Sequence, residues 1–145
     1  MERNGGFLIS KIKQLGDRIF EKVLSAKNID AFNGPQGRIL YVLWQSDGIS
    51  IKTLSDRCGL AVTSLTTMLE RMERQKLIER VQSPSDRRKT LLYLTDKTRD
   101  LKNDYDRVSS QMSQIYYRGF SEEEIVQFET YLQRVLNNLR EQEES

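Results

Sequence analysis

The feature that most restricts how this chain folds is a change of period near residue 77. From about Val62 to Gln75 apolar residues recur at helical spacing, with Leu65, Met68 or Leu69, and Met72 on one stripe. Beyond it the spacing becomes two. Ile78, Arg80 and Gln82 fall on one side, Glu79 and Val81 on the other, and Thr90-Leu91-Leu92-Tyr93-Leu94-Thr95 follows a polar stretch. The segment predicts a helix and then two short strands around Ser83 to Lys89, a hairpin with a basic tip.

The rest of the chain reads as helix. Only Pro35 and Pro84 interrupt long 3.6-residue periods. A first helix is expected from about Phe7 to Ser25, with Leu8, Ile12, Leu15, Ile19 and Val23 on one stripe. Asn28 to Asn33 reads as a connection, and Asn33-Gly34-Pro35 as a capped start to a second helix. Ile39, Leu40, Val42, Leu43 and Trp44 make that helix apolar almost all round, so it belongs in the core. Asp47-Gly48 ends it. Ile49-Ser50-Ile51 leads into a short helix, Thr53 to Cys58, which Gly59 terminates in a left-handed conformation.

Two long helices are expected at the end. Asp96 to about Arg118 carries Leu101, Tyr105, Val108, Met112 and Ile115 as a heptad-like seam. Ser121-Glu122-Glu123-Glu124 is a capping-box pattern, followed by Ile125, Phe128, Leu132, Val135 and Leu139 at the same spacing. Two such seams suggest helices of a second copy, although packing within one chain gives the same pattern.

Composition removes most catalytic classes. The 145 residues argue for one domain, long enough to hide about two-thirds of its unfolded surface without disulfide or metal. Histidine is absent, which excludes His-ligated zinc and His general-base chemistry, and the single Cys58 cannot form an internal disulfide. Ser10-Lys11-Ile12-Lys13 matches a Ser-x-x-Lys acylase pattern but lacks its partner motifs, and no glycine-rich phosphate loop exists. Asp104 and Asp106 are two apart on a helix and face different ways. No cofactor is expected. The longest apolar run, Ile39 to Trp44, is far short of the ~20 residues of a membrane span. The start, Met1 to Gly6, has no secretory signal pattern, so the expectation is a cytoplasmic protein without a membrane partner.

Charge is balanced overall but unevenly placed. Residues 71–89 hold seven basic side chains against three acidic ones, and residues 121–145 hold two against seven. The middle suits a polyanion and the end does not. A helix entering the major groove needs short polar side chains near its N-terminus, which Thr63, Ser64, Thr66 and Thr67 supply. A hairpin entering the narrow, electronegative minor groove needs a cation at its tip, where Arg87, Arg88 and Lys89 stand. Two short helices, a tight turn and a basic hairpin together point to a winged helix-turn-helix that binds double-stranded DNA.

At this point a family resemblance becomes specific. Cys58 to Arg80, then Ser85-Asp86-Arg87-Arg88-Lys89 and Leu94-Thr95, resemble the DNA-binding core of the MarR/SlyA transcriptional regulators, and the element order extends the resemblance to the whole chain. The resemblance implies a mainly α fold with a small β-hairpin wing and interlocking N- and C-terminal dimerisation helices. Within a single domain, residues 1–145, it implies a DNA-binding lobe over 34–96 and dimerisation helices over 1–32 and 97–145. It further implies a homodimeric repressor that binds a pseudo-palindromic operator through a recognition helix, 62–75, and a wing, 83–89. Asp86 would brace the wing through an arginine such as Arg71, Arg88 would be the minor-groove residue, and Leu8, Ile12, Phe128, Leu132, Val135 and Leu139 would serve the dimer. The chain departs from the family pattern at Ala61, in place of a Ser cap, at Thr67, in place of a basic residue, and at Lys76 and Thr98, each in place of a glycine.

A small aromatic or phenolic effector is a further expectation of the resemblance, with Phe20, Tyr41, Trp44 and Tyr116, and also Tyr117, as candidates to line its cavity; plain aromatic core is the simpler reading for each. Two alternatives compete with the DNA-binding, effector-modulated regulator. One is a thiol-based redox sensor through Cys58. The other is a winged-helix assembly module that binds no DNA.

Overall fold

The structure is a computed structural model that describes residues 2–27, 29 and 35–144. It is mainly helical with one small antiparallel sheet. In chain order the elements are α1 (Gly5–Ala26), α2 (Pro35–Gln45), β1 (Ile49–Ser50), α3 (Ile51–Cys58), α4 (Val62–Arg74), β2 (Ile78–Gln82), β3 (Thr90–Leu94), α5 (Asp96–Asp100), α6 (Lys102–Tyr116) and α7 (Glu122–Glu144). The expected cap at Asn33 and most of the 28–33 connection lie outside the described residues. The chain divides into two compact units, Met1–Val108 and Ser109–Ser145.

The first unit holds the hydrophobic core. Leu24 of α1, Ile39, Leu40 and Leu43 of α2, Leu54 of α3, and Leu65, Leu69 and Met72 of α4 are fully buried. Ile78 and Leu92 from the sheet and Val108 join them. The second helix is therefore central, as its all-round apolar sequence requires. On α4 it is Leu69, not Met68, that completes the buried stripe.

The sheet has three strands in the order β1-β3-β2, one more than the sequence suggested. The hairpin bounds match, with Ile78 opposite Leu94 and Gln82 opposite Thr90. Residues 49–50, read as a lead-in, pair instead with β3, Ile49 opposite Leu92 and Ser50 opposite Leu91. Gly48 makes this close approach possible: at φ 72° it donates its N–H to the Leu92 carbonyl at 2.8 Å, and a Cβ there would lie 2.9 Å from the Tyr93 ring. The following helix begins at Ile51 rather than Thr53, because Ser50 acts as its cap and accepts the Thr53 N–H at 3.2 Å.

Asp47 ties the sheet to the helix after it. One carboxylate oxygen accepts the Leu94 N–H at 2.9 Å and the other accepts Arg99 at 2.7 Å. The helix expected over Asp96 to Arg118 is interrupted at Leu101, and its second piece ends at Tyr116.

The second unit is built around the turn between α6 and α7. The capping box forms in both directions, Glu124 N–H to the Ser121 hydroxyl at 3.1 Å and Ser121 N–H to the Glu124 carboxylate at 2.8 Å. Tyr117, Phe120 and Phe128 pack ring against ring. The Tyr117 hydroxyl donates to Glu129 at 2.6 Å, and partial burial followed by that carboxylate pushes its pKa up to about 12.

Candidate nucleic-acid interface

The α3–turn–α4 pair is pinned by its own backbone. Gly59 at φ 74° closes α3 with its N–H on the Ser55 carbonyl at 2.9 Å, and the Ser55 hydroxyl donates to the Leu60 carbonyl at 2.6 Å. The chain then enters α4 at Ala61, which has extended backbone and no side chain able to cap. Among the described residues no side chain caps the first N–H groups of α4, which leaves them available to an anion.

With Leu65, Leu69 and Met72 inward, helical geometry turns Thr63, Ser64, Thr67 and Arg71 outward, and all four are exposed. Thr66 is half-buried, and its hydroxyl donates to the Val62 carbonyl at 2.9 Å. Glu70 and Arg74, which residue-type reasoning passed over, continue the exposed row of Thr63 and Thr67 at helical spacing.

The far end of α4 closes without glycine. Lys76 takes φ 61°, its N–H bonding the Glu73 carbonyl at 3.0 Å while the Leu77 N–H reaches Met72 at 2.9 Å. This is a complete Schellman ending with Lys at the left-handed position, strained by roughly 1 kcal/mol relative to glycine. Glu73 also binds Arg80 of β2 at 3.0 Å, and that guanidinium's hydrogen bond holds the Glu73 carboxyl below its ordinary value.

The tip of the hairpin is a cross-bonded loop. Ser83 N–H reaches the Lys89 carbonyl at 2.9 Å, Lys89 N–H the Asp86 carbonyl at 3.0 Å, and Gln82 donates to the Arg87 carbonyl at 2.8 Å. Asp86 does brace the loop, but through Arg88 and not Arg71. One carboxylate oxygen accepts the Arg88 backbone N–H at 3.0 Å and its Nε at 3.2 Å. The backbone N–H and then the guanidinium lower the Asp86 carboxyl from its usual range. A residue two positions away satisfies this short side chain at less entropic cost than one on another element. Arg71 has no ion pair among the described residues. The Arg88 side chain is 91% exposed, and with Nε engaged its terminal amino groups remain without a partner among the described residues. Arg87 and Lys89 are exposed beside it.

A crevice of about 550 Å³ lies apart from these surfaces, within the first unit. Phe20 of α1, Tyr41 of α2 and Tyr105 of α6 supply its aromatic wall, with Lys13, Asp17, Glu21, Arg38 and Leu60 around them. Lys13 is held by Asp17 at 2.7 Å, and Arg38 donates to the Cys58 carbonyl at 3.2 Å. Burial, then Tyr41 and Asp106, raise the Tyr105 pKa. Three expected lining residues, Trp44, Tyr116 and Tyr117, are absent from it. Trp44 packs its ring 5.0 Å from that of Tyr105 and donates its indole N–H to the Thr98 carbonyl at 3.1 Å, and Tyr116 is exposed in the second unit.

The remaining candidates divide clearly. The Cys58 thiol is in the core, the residue 4% exposed. Leu8, Ile12, Phe128, Leu132, Val135 and Leu139 are exposed in the single chain. Among the described residues no helix is long and apolar enough to cross a membrane, and no His, Cys, Asp or Glu cluster has the form of a metal site.

Comparison with known proteins agrees with this geometry. A family model described as "MarR family" matches residues 32–90, the stretch that carries the helix pair, β2 and the hairpin tip and ends at the first residue of β3. The transcriptional regulator TtmR of Methylorubrum extorquens is 38% identical over 72 residues, which are 50% of this chain and 37% of that protein's length. MgrA of Staphylococcus aureus is 29% identical over 114 residues, 76% of this chain and 74% of MgrA. A MarR cysteine-to-serine mutant from E. coli, solved in complex with operator DNA, superimposes with a TM-score of 0.79 at 25% identity, covering 90% of this chain and 92% of that one. PcaV of Streptomyces coelicolor, solved with its natural ligand, shares the fold at a TM-score of 0.81 and 21% identity, covering 94% and 96%. Relatives of this fold thus include one bound to operator DNA and one bound to its natural ligand. The match over residues 32–90 and the shared fold make the chain similar to the MarR winged helix-turn-helix transcriptional regulators.

Proposed function

We propose that two copies of this chain form a repressor that binds a pseudo-palindromic operator in the cytoplasm. Residues 34–96 serve as the DNA-binding lobe, and residues 1–32 and 97–145 as the helices that interlock the two copies. In this reading Thr63, Ser64, Thr66 and Thr67 of α4 approach base edges, Arg71 and the N–H groups of α4 hold phosphate, and Arg88, flanked by Arg87 and Lys89, enters the minor groove with Asp86 as its brace. The observation that carries the dimer is that α7 has no buried residue, although Phe128, Leu132, Val135 and Leu139 line one of its faces. Such a face is stabilised by covering it, and a second copy offers the same face.

Selection of bound duplexes from a random DNA pool tests the reading. The expected result is an inverted repeat with half-site centres about one helical turn apart. A selected site without internal symmetry, or no selection above background, counts against it. Binding of random genomic DNA at low salt separates a regulator from a winged-helix module used only for assembly.

The crevice is the proposed effector site, supported by its three aromatic walls and by a liganded structure of the same fold. Its ligand class is a small aromatic or phenolic compound that lowers operator affinity. A panel of such compounds should raise the melting temperature by mass action and change the emission of Trp44, whose ring touches the wall. Uniform absence of both responses would favour a regulator without effector. Burial of Cys58 speaks against the thiol-sensor alternative, which requires that Cys58→Ser abolish a peroxide response.

A further inference from the structure

We propose that Thr98 is a positioning residue that ties the C-terminal turn of the recognition helix to the aromatic wall of the crevice. The inference rests on the readings of α4 and of the crevice given above, and names the contact through which one senses the other. Thr98 is completely buried, and its hydroxyl and its carbonyl each take part in this link. Its hydroxyl donates to the Leu77 carbonyl at 2.6 Å. Its carbonyl accepts the Trp44 indole N–H at 3.1 Å. The Leu77 N–H in turn closes the last turn of α4 on Met72 at 2.9 Å. Three hydrogen bonds in series therefore run from Trp44 to the recognition helix. On the other side the Trp44 ring lies 5.0 Å from that of Tyr105, and Tyr105 lies 6.0 Å from Tyr41, both lining the crevice.

The turn being held is the strained one. Lys76 at φ 61° persists only where its surroundings over-determine it. Thr95 adds to the restraint, its hydroxyl reaching the Lys76 carbonyl at 2.8 Å and lying 3.0 Å from that of Thr98. A ligand that shifts Tyr105 moves Trp44, which holds Thr98 by a directional bond, and the end of α4 follows. Packed interiors transmit such shifts because they have few voids to absorb them.

The test uses the 15N-labelled full chain and needs neither DNA nor an identified ligand. Tyr105→Leu serves as the probe of the crevice wall. It should shift the amide resonances of Lys76, Leu77 and Ile78 in the wild-type background, and equally with Thr98→Ser, which keeps the hydroxyl. With Thr98→Val, of the same shape without the donor, the shifts should fall by about threefold or more, the non-additivity expected of residues in one network. Trp44→Phe, which keeps a ring and removes the N–H, should have the same effect and serves if Thr98→Val does not fold. Equal shifts with and without the hydroxyl, or none in the wild type, overturn the proposal. On a duplex selected from the random pool, Thr98→Val should weaken binding by about three- to tenfold, the equivalent of one net hydrogen bond, and Thr98→Ser should restore it. If the wild type selects no duplex, the operator reading fails while the amide shifts still decide the link.

Discussion

The lobe over residues 35–95 and the helix α7 are built from similar fractions of apolar side chains but differ in what those side chains do. In the lobe, Leu54, Leu65, Leu69 and Met72 are completely buried, so the helix pair and hairpin stand on a finished core. In α7, Val126 and Leu139 are 64% and 63% exposed, and Tyr131, Leu132, Val135 and Leu136 are exposed as well. The lesson is that the proposed DNA-binding surface can be rigid in one copy, whereas the apolar face of α7 is left to be covered. Rigid presentation matters because a recognition helix reads base edges only from a fixed position.

The largest expected break in this contrast comes from α7. Leu132→Asp should raise the dimer dissociation constant by about a hundredfold or more, since a buried unpaired carboxylate is heavily penalised. Sedimentation at micromolar concentration reads it, and an unchanged dimer would show that α7 lies outside the interface. In the lobe, Leu69→Ala should cost about 2–5 kcal/mol of stability through a core cavity. Its denaturation midpoint should shift by the same amount at every protein concentration, whereas that of Leu132→Asp should lose its concentration dependence.

A smaller effect sharpens the second unit alone. Ser121→Ala removes one half of the capping box and should cost about 1 kcal/mol of helix stability, seen as earlier loss of helical signal on heating. The smallest is electrostatic. Glu73 is held below its ordinary 4.5 by Arg80, so its stabilising contribution is present above that value and disappears as pH falls through the folded pKa. Solvent access keeps the effect slight. Glu73→Gln should be marginally less stable than wild type at neutral pH and equal to it well below pH 4.5, by urea unfolding.

Much of the lobe was legible in the sequence because its signals are local. The period change fixed both hairpin strands, and α4 begins at Val62 and is capped by Gln75, inside the expected 62–75. Ser121 and Glu124 announced their own cap. What escaped depended on distant partners. Two residues, Ile49 and Ser50, are too few to show a period, and become a strand only because β3 lies beside them. Leu101 carries no breaker residue, yet the helix is interrupted there. Phe20 and Tyr41 were found for the crevice, but Tyr105 was read only as a seam residue and Trp44 was misplaced, because a wall assembled from three helices has no spacing to read. Asp86 was recognised as a brace with the wrong partner, since sequence order does not reveal that Arg88 bends back to it.

In the proposed reading the wing binds through charge and groove shape while α4 discriminates bases. Affinity for one selected duplex, measured over a salt series for wild type, Arg88→Ala and Thr63→Ala, tests it directly. Arg88→Ala should weaken binding across sequences and reduce the salt slope by about one ion per lobe. Thr63→Ala should leave the slope nearly intact and change discrimination at one or two base pairs by about 1–3 kcal/mol. An Arg88→Ala protein that is folded and keeps both the affinity and the salt slope of wild type would contradict the assignment of the hairpin as a DNA-binding wing.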